Sequence, residues 1–121
     1  MNMRVRSFFA AVALMAVSGA FASQRARDLA ESVSGVYLGA VTQALRGGSR
    51  QGVRCTVTRL EPNAVNVACD DPRVRPTRFR LARYGDSIQN AGGNATFLIQ
   101  TNRDARRLDL SIEGVTLQVR R

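Results

Sequence analysis

From residue 34 onward, apolar side chains recur at every second position in short runs broken by turn residues, which is the period of strands rather than helices. The cleanest example closes the chain. Leu108, Leu110 and Ile112 alternate with Asp109, Ser111 and Glu113; after a Glu113-Gly114 turn, Val115, Leu117 and Val119 alternate with Thr116, Gln118 and Arg120. Pairing Ile112 with Val115, Leu110 with Leu117 and Leu108 with Val119 places all six apolar side chains on one face.

A second hairpin is read from Val53 to Asp71, where two runs of β-branched residues flank Glu61-Pro62-Asn63. With Leu60 and Ala64 bounding a three-residue loop, Val57 faces Val67, Arg59 faces Val65 and Cys55 faces Cys69. A slip of one residue would set the valines against polar partners, which a sheet with one buried face resists. Asn63 takes the left-handed loop position, which asparagine tolerates. Cysteines directly opposed on neighbouring strands have Cα atoms roughly 4.5–5.5 Å apart, within disulfide range. The pattern therefore predicts a Cys55–Cys69 bridge, closing a loop of about 15 residues and contributing roughly 3 kcal/mol in the chain-entropy model.

The remaining segments fit the same period. Ser34 to Val41 reads as a strand with Gly35, Tyr37, Gly39 and Val41 on one face, small residues about an aromatic ring that suit a tightly curved sheet. Arg46 to Gly52 is expected to be a loop; its glycines lack the lysine and following helix of a phosphate-binding loop. From Thr77, Phe79 and Leu81 point inward while Arg78 and Arg80 point outward. Tyr84-Gly85-Asp86 turns into a short strand at 87–91. Gly92-Gly93-Asn94 leads into an apolar strand over 95–100, and 101–106 is polar and turn-like. Asn94-Ala95-Thr96 is formally a glycosylation triplet, with nothing else in the chain to support that route.

The amino terminus differs in kind. Arg4 and Arg6 precede an uncharged apolar stretch from Phe8 to Val17, and Ala20-Phe21-Ala22 supplies a small-x-small cleavage site. Residues 1–22 are expected to be a cleaved signal peptide: the apolar stretch is short for the ~20 residues of a membrane span, and no cysteine follows for lipid attachment. Export, to a periplasmic or extracellular location, agrees with a disulfide. Residues 23–34 form an arm or a short helix, with Ser23 available as a cap. About 99 residues then remain, enough for one domain with one core, taken as 35–121. Seven or eight short strands in meander order favour an all-β antiparallel sheet that closes into an up-and-down barrel of about eight strands, with an open sandwich as the alternative. An outer-membrane barrel needs longer strands with an apolar outer band, whereas here the faces opposite the valines and leucines carry Thr, Asn, Asp, Gln and Arg.

Charge narrows the function. Of 18 basic residues, all arginine, loss of Arg4 and Arg6 with the leader leaves 16 against 9 acids, a net charge of +7. Without histidine there is no imidazole base, a disulfide removes both thiols, and no motif places two carboxylates together; Asp70 and Asp71 are neighbours in sequence but point to opposite faces of a strand. Neither a metal site nor a cofactor is implied, since two cysteines without histidine leave zinc short of ligands. The expected function is non-catalytic binding. Arg73, Arg75, Arg78, Arg80 and Arg83 form the most charged segment, and guanidinium forks suit carboxylate or phosphate. They are the candidate contacts for an anionic envelope component or an acidic protein. The alternative use of such arginines is to cover apolar neighbours and deter edge pairing. Nucleic acid is not expected, because the strand lacks interleaved aromatics for base stacking.

Two resemblances accompany this reading. The segments Gly35-Val36-Tyr37-Leu38-Gly39, Val57-Thr58-Arg59 and Phe97-Leu98-Ile99 with Arg107-Leu108-Asp109 are similar to an uncharacterised small β domain of bacterial envelope proteins, which implies the β fold and no activity. Export, size, strand number and the cysteine pair also resemble the small β-barrel inhibitors of lysozymes and secreted metalloproteases. That likeness implies inhibition of an envelope or host hydrolase as an alternative function, without any inhibitory motif that transfers to residues here. Like charge with a basic lysozyme would slow such an encounter. A ligand-binding barrel is a third alternative, set against an interior that side chains would fill at this size.

Overall fold

In the computed structural model, residues 28–121 are described. The expected signal peptide at 1–22 and the arm up to residue 27, Ser23 included, lie outside them. The alternating pattern resolves into eight antiparallel strands: β1 (Gly35–Ala44), β2 (Arg50–Glu61), β3 (Ala64–Cys69), β4 (Thr77–Tyr84), β5 (Ser87–Asn90), β6 (Thr96–Gln100), β7 (Arg107–Ile112) and β8 (Val115–Arg120). Each pairs with its successor, and β8 pairs back onto β1, giving a closed up-and-down barrel. A helix α1 (Leu29–Val33) precedes β1, and a single helical turn α2 (Thr101–Asp104) follows β6.

The period of two is visible in the burial. On β8, Val115, Leu117 and Val119 are buried and the residues between them are not; β7 does the same with Leu108, Leu110 and Ile112. Their register is Ile112 with Val115, Leu110 with Leu117 and Leu108 with Val119. Glu113 and Gly114 both have positive φ, 49° and 80°, as the two-residue turn that matches strand twist requires. Tyr37, Phe97, Ile99, Leu108, Leu110, Ile112, Leu117 and the inward valines fill the interior, with the Phe79 and Phe97 rings 5.5 Å apart. Side chains therefore occupy the space that a wider barrel would leave for a ligand.

The cysteine hairpin has the expected pairing, with Cys55 opposite Cys69, Val57 opposite Val67 and Arg59 opposite Val65. The disulfide is formed, with Cα atoms 4.0 Å apart. The turn is tighter than the sequence suggests. Glu61 pairs with Ala64, leaving Pro62-Asn63 as a two-residue turn, and Leu60 is taken up in a bulge. Proline followed by asparagine at φ 60° is the residue pattern of a type II turn. Such a turn suits the twist of a hairpin poorly, and the extra residue in β2 accommodates it. β2 also starts earlier than expected, at Arg50, with Gly52 left as an unpaired bulge residue between the partners of Gly39 and Ala40.

Both ends of the barrel are plugged. At one end, α1 lays Ala30 and Val33 into the core. Its cap is Asp28, whose Oδ1 accepts from the Glu31 amide at 3.0 Å while Oδ2 accepts from Arg59 Nε at 2.9 Å. The Leu29 amide donates to Asn63 Oδ1 at 3.1 Å, so the left-handed turn residue of the β2–β3 hairpin also anchors the helix. Tyr37, fully buried, donates its hydroxyl to the Val33 carbonyl at 2.7 Å and ties α1 to β1. At the opposite end the 70–76 loop folds over the opening and buries Val74 in the core.

Closure depends on Gly39. It pairs with Val53 on one side and Val119 on the other, and a methyl group there would run into the Gln118 carbonyl oxygen and lie 2.7 Å from Val119 Cα. Gly39→Ala is expected to destabilise the domain by about 1–3 kcal/mol, the usual cost of overpacking. Chemical denaturation measures this, and alanine at exposed Gln118 on β8 serves as a near-neutral control. Replacing both cysteines by alanine is expected to cost about 3 kcal/mol in the same assay.

Candidate anion-binding surface

The five arginines nominated from sequence take up four different environments. Arg78 and Arg80 project from the outer face of β4, because Phe79 and Leu81 between and beyond them face the core. Arg78 stands opposite Asn66, which in turn stands opposite Thr58, so polar groups flank it across the sheet. No carboxylate lies within ion-pair distance of Arg78 among the described residues. Arg80 faces Glu61 at 3.7 Å with both side chains largely in water, an arrangement of little energetic value. The two guanidiniums border a depression of about 190 Å³ lined also by Glu61, Ala64 and Phe79.

Arg75 lies in the loop before β4 and meets Glu113 at 3.8 Å, again exposed. Arg83 is in phase with the inward residues of β4 and opposite Ile88, and emerges at the barrel end that α1 plugs. It is thus separated from Arg78 and Arg80 by the strand's own alternation.

Arg73 is committed to the fold. Its Nε and one terminal nitrogen donate to the two oxygens of Asp71 at 3.0 and 2.8 Å, and its amide donates to Asp71 Oδ1 at 2.9 Å. The remaining terminal nitrogen donates to the carbonyls of Arg46 and Gly48, at 2.6 and 2.8 Å. One side chain thereby pins the 70–76 loop to the β1–β2 loop and holds Val74 in place. Asp71 is 1% exposed and also meets Arg50 at 3.5 Å. The hydrogen bonds from Arg73 hold its carboxyl well below the usual carboxylate range, against the upward push of burial. β3 ends at Cys69, so neither aspartate lies on a strand as the sequence suggested; in the loop, Asp70 Oδ1 accepts from the Arg54 amide at 2.9 Å.

Sequence reading missed the burial of Asp71, because nothing in a two-residue Asp-x-Arg spacing distinguishes a buried pair from an exposed one. It also passed over Arg54, which alternates with buried residues of β2, and Arg121, which directly follows β8. Chemically, the surface offers hydrogen-bond donors and positive charge. The sulfur atoms are joined, and the one buried carboxylate is already fully paired. Among the described residues no cluster of three or more metal-ligating side chains occurs, and no helix is long and apolar enough to cross a membrane.

The Asp71 pair generates a pH dependence. A carboxylate whose folded pKa is depressed contributes stability above its unfolded value, near 4, and loses that contribution as pH falls toward its folded value. Wild-type stability is therefore expected to decline as pH is lowered from about 5, with a shallower decline in Asp71→Asn, measured by urea unfolding at a series of pH values. Arg73→Ala strands a buried charge and is expected to cost about 3–5 kcal/mol at neutral pH. Comparison with known proteins finds no family model, no curated protein and no solved structure that matches this chain.

Proposed function

We propose that this domain is a non-catalytic, exported binding module that contacts an anionic partner, an envelope polyanion or an acidic protein, through the outer face of β4. The reading rests on one observation above the others: Arg78 and Arg80 project side by side from a strand whose opposite face is locked into the core, and neither is strongly neutralised. A rigid strand presents its donors at a fixed spacing, two residues or about 6.7 Å apart along the chain, which lowers the ordering cost of binding an extended polyanion. Arg54 on β2 and Arg75 beside β4 add to the positive field that steers such a partner. Glu61 is the internal competitor of this face, since it meets Arg80 at 3.7 Å and lines the same depression.

The lack of histidine and of a free thiol favours binding over chemistry, as does the commitment of Asp71 to Arg73 and Arg50. The purified protein is expected to be retained on a sulfated-polysaccharide column and to elute earlier in a salt gradient when Arg78 and Arg80 are both changed to Ser. The slope of log affinity against log salt should fall by roughly two, one for each lost contact. Glu61→Gln should shift elution the other way. Elution unchanged by the double substitution would remove β4 as the contact surface.

A further inference from the structure

At the barrel end closed by α1, Arg83 and Arg121 flank a cleft of about 150 Å³ whose other walls are Ser32, Val33, Ile88, Ile99, Thr101 and Ala105. Val33, Ile88 and Ile99 are core residues showing only their outer edge, so the floor is aliphatic. No Asp or Glu side chain lines it. The hydroxyls of Ser32 and Thr101 already donate to the carbonyls of Leu29 and Asp86, each at 2.8 Å, which leaves the guanidiniums as the polar groups with donors to spare.

Those guanidiniums are placed by different means. Arg83 occupies an inward-facing position of β4 at the rim, opposite Ile88, and it has no ion-pair or side-chain hydrogen-bond partner among the described residues. Arg121 lies over the Tyr37 ring, 5.5 Å from its centre, and donates through one terminal nitrogen to the Ser34 carbonyl at 3.2 Å. Its backbone amide bonds the Arg106 carbonyl at 3.0 Å, so the residue is held at the cleft by three contacts while its other donors remain available. Two positive forks with no acidic side chain in ion-pair distance among the described residues, set over an aliphatic floor, are complementary to a ligand with one anionic head and a small apolar body.

We infer that this cleft is a binding site for a carboxylate bearing a short branched aliphatic group, supplied either as a free small acid or as the C-terminal residue of a peptide. The volume of about 150 Å³ accommodates a body of four or five carbon atoms. The carboxylate takes a bidentate bond from Arg83 and a second from Arg121, and the aliphatic group covers Ile88 and Ile99. The site lies away from Arg78 and Arg80 and does not depend on them.

The test is a titration of the isotope-labelled protein followed by the methyl resonances of Ile88 and Ile99. The probes are 3-methylbutanoate, its neutral amide, and an acetylated peptide ending in valine as the free acid or the amide. A ligand of this size is expected to bind with a Kd on the order of millimolar. One or both acids should shift the two isoleucines and neither amide should. Response to the small acid alone, to the peptide alone, or to both assigns the source. Arg83→Gln, a change at an exposed side chain without partners, should weaken binding by at least about tenfold, as should Arg121→Gln, while Arg78→Gln leaves it unchanged. Failure of both acids to move the isoleucines, equal shifts with the amides, or full binding by Arg83→Gln would overturn the inference. Polyanion retention through β4 would stand in each of those cases.

Discussion

Closure of β1 onto β8 is the constraint on which the rest of the molecule depends. A sheet of eight short strands has unpaired edges unless its first and last members meet, and here they meet around a residue without a side chain. Gly39 lets the β8 backbone approach β1, and the bulges next to it in β1 and β2 supply the local bend. Once the ring is closed, every inward position becomes part of one core. The two ends then become the only openings, which is why so small a barrel spends a helix on one and a seven-residue loop on the other.

Each plug is held by an acid and an arginine, in different ways. Asp28 caps α1 and meets Arg59 near the surface, where an ion pair contributes little by itself and the carboxylate's chief value lies in satisfying a helix amide. Asp71 is buried, and its pair with Arg73 is worth having only because every strong acceptor position is filled. The chain's excess of arginine is thereby divided. Some guanidiniums are structural staples, some lie in loose surface pairs, and others, Arg78, Arg83 and Arg121 among them, meet no acidic side chain among the described residues. Binding, on the reading proposed above, belongs to Arg78, Arg83 and Arg121 and to the exposed Arg80.

Much of the fold was legible from the amino-acid order. The registers of the Cys55–Cys69 and Ile112–Val115 hairpins follow from alternation plus a short turn, since a slip of one residue inverts both faces. The turn itself was less legible. Pro62 and Asn63 can complete a two-residue or a three-residue connection, and the bulge at Leu60 that decides between them costs little locally. Asp28 as the cap of α1 was likewise overlooked in favour of Ser23, because capping residues are common in that segment and only the docking of Asn63 selects one of them.

The sequence by itself determined the strand period, the disulfide pairing, the meander and a barrel of about eight strands, because each rests on neighbours in the chain and on which side chains avoid water. Tertiary structure alone decided the fate of the arginines. Five of them in a run of eleven residues look alike as a string, yet one is locked to a buried carboxylate, two share an outer face, one sits in a loop and one turns to the barrel end. That division depends on where the strand stops, which loop folds over the opening and which carboxylate comes within reach, all of which follow from contacts between residues far apart in sequence.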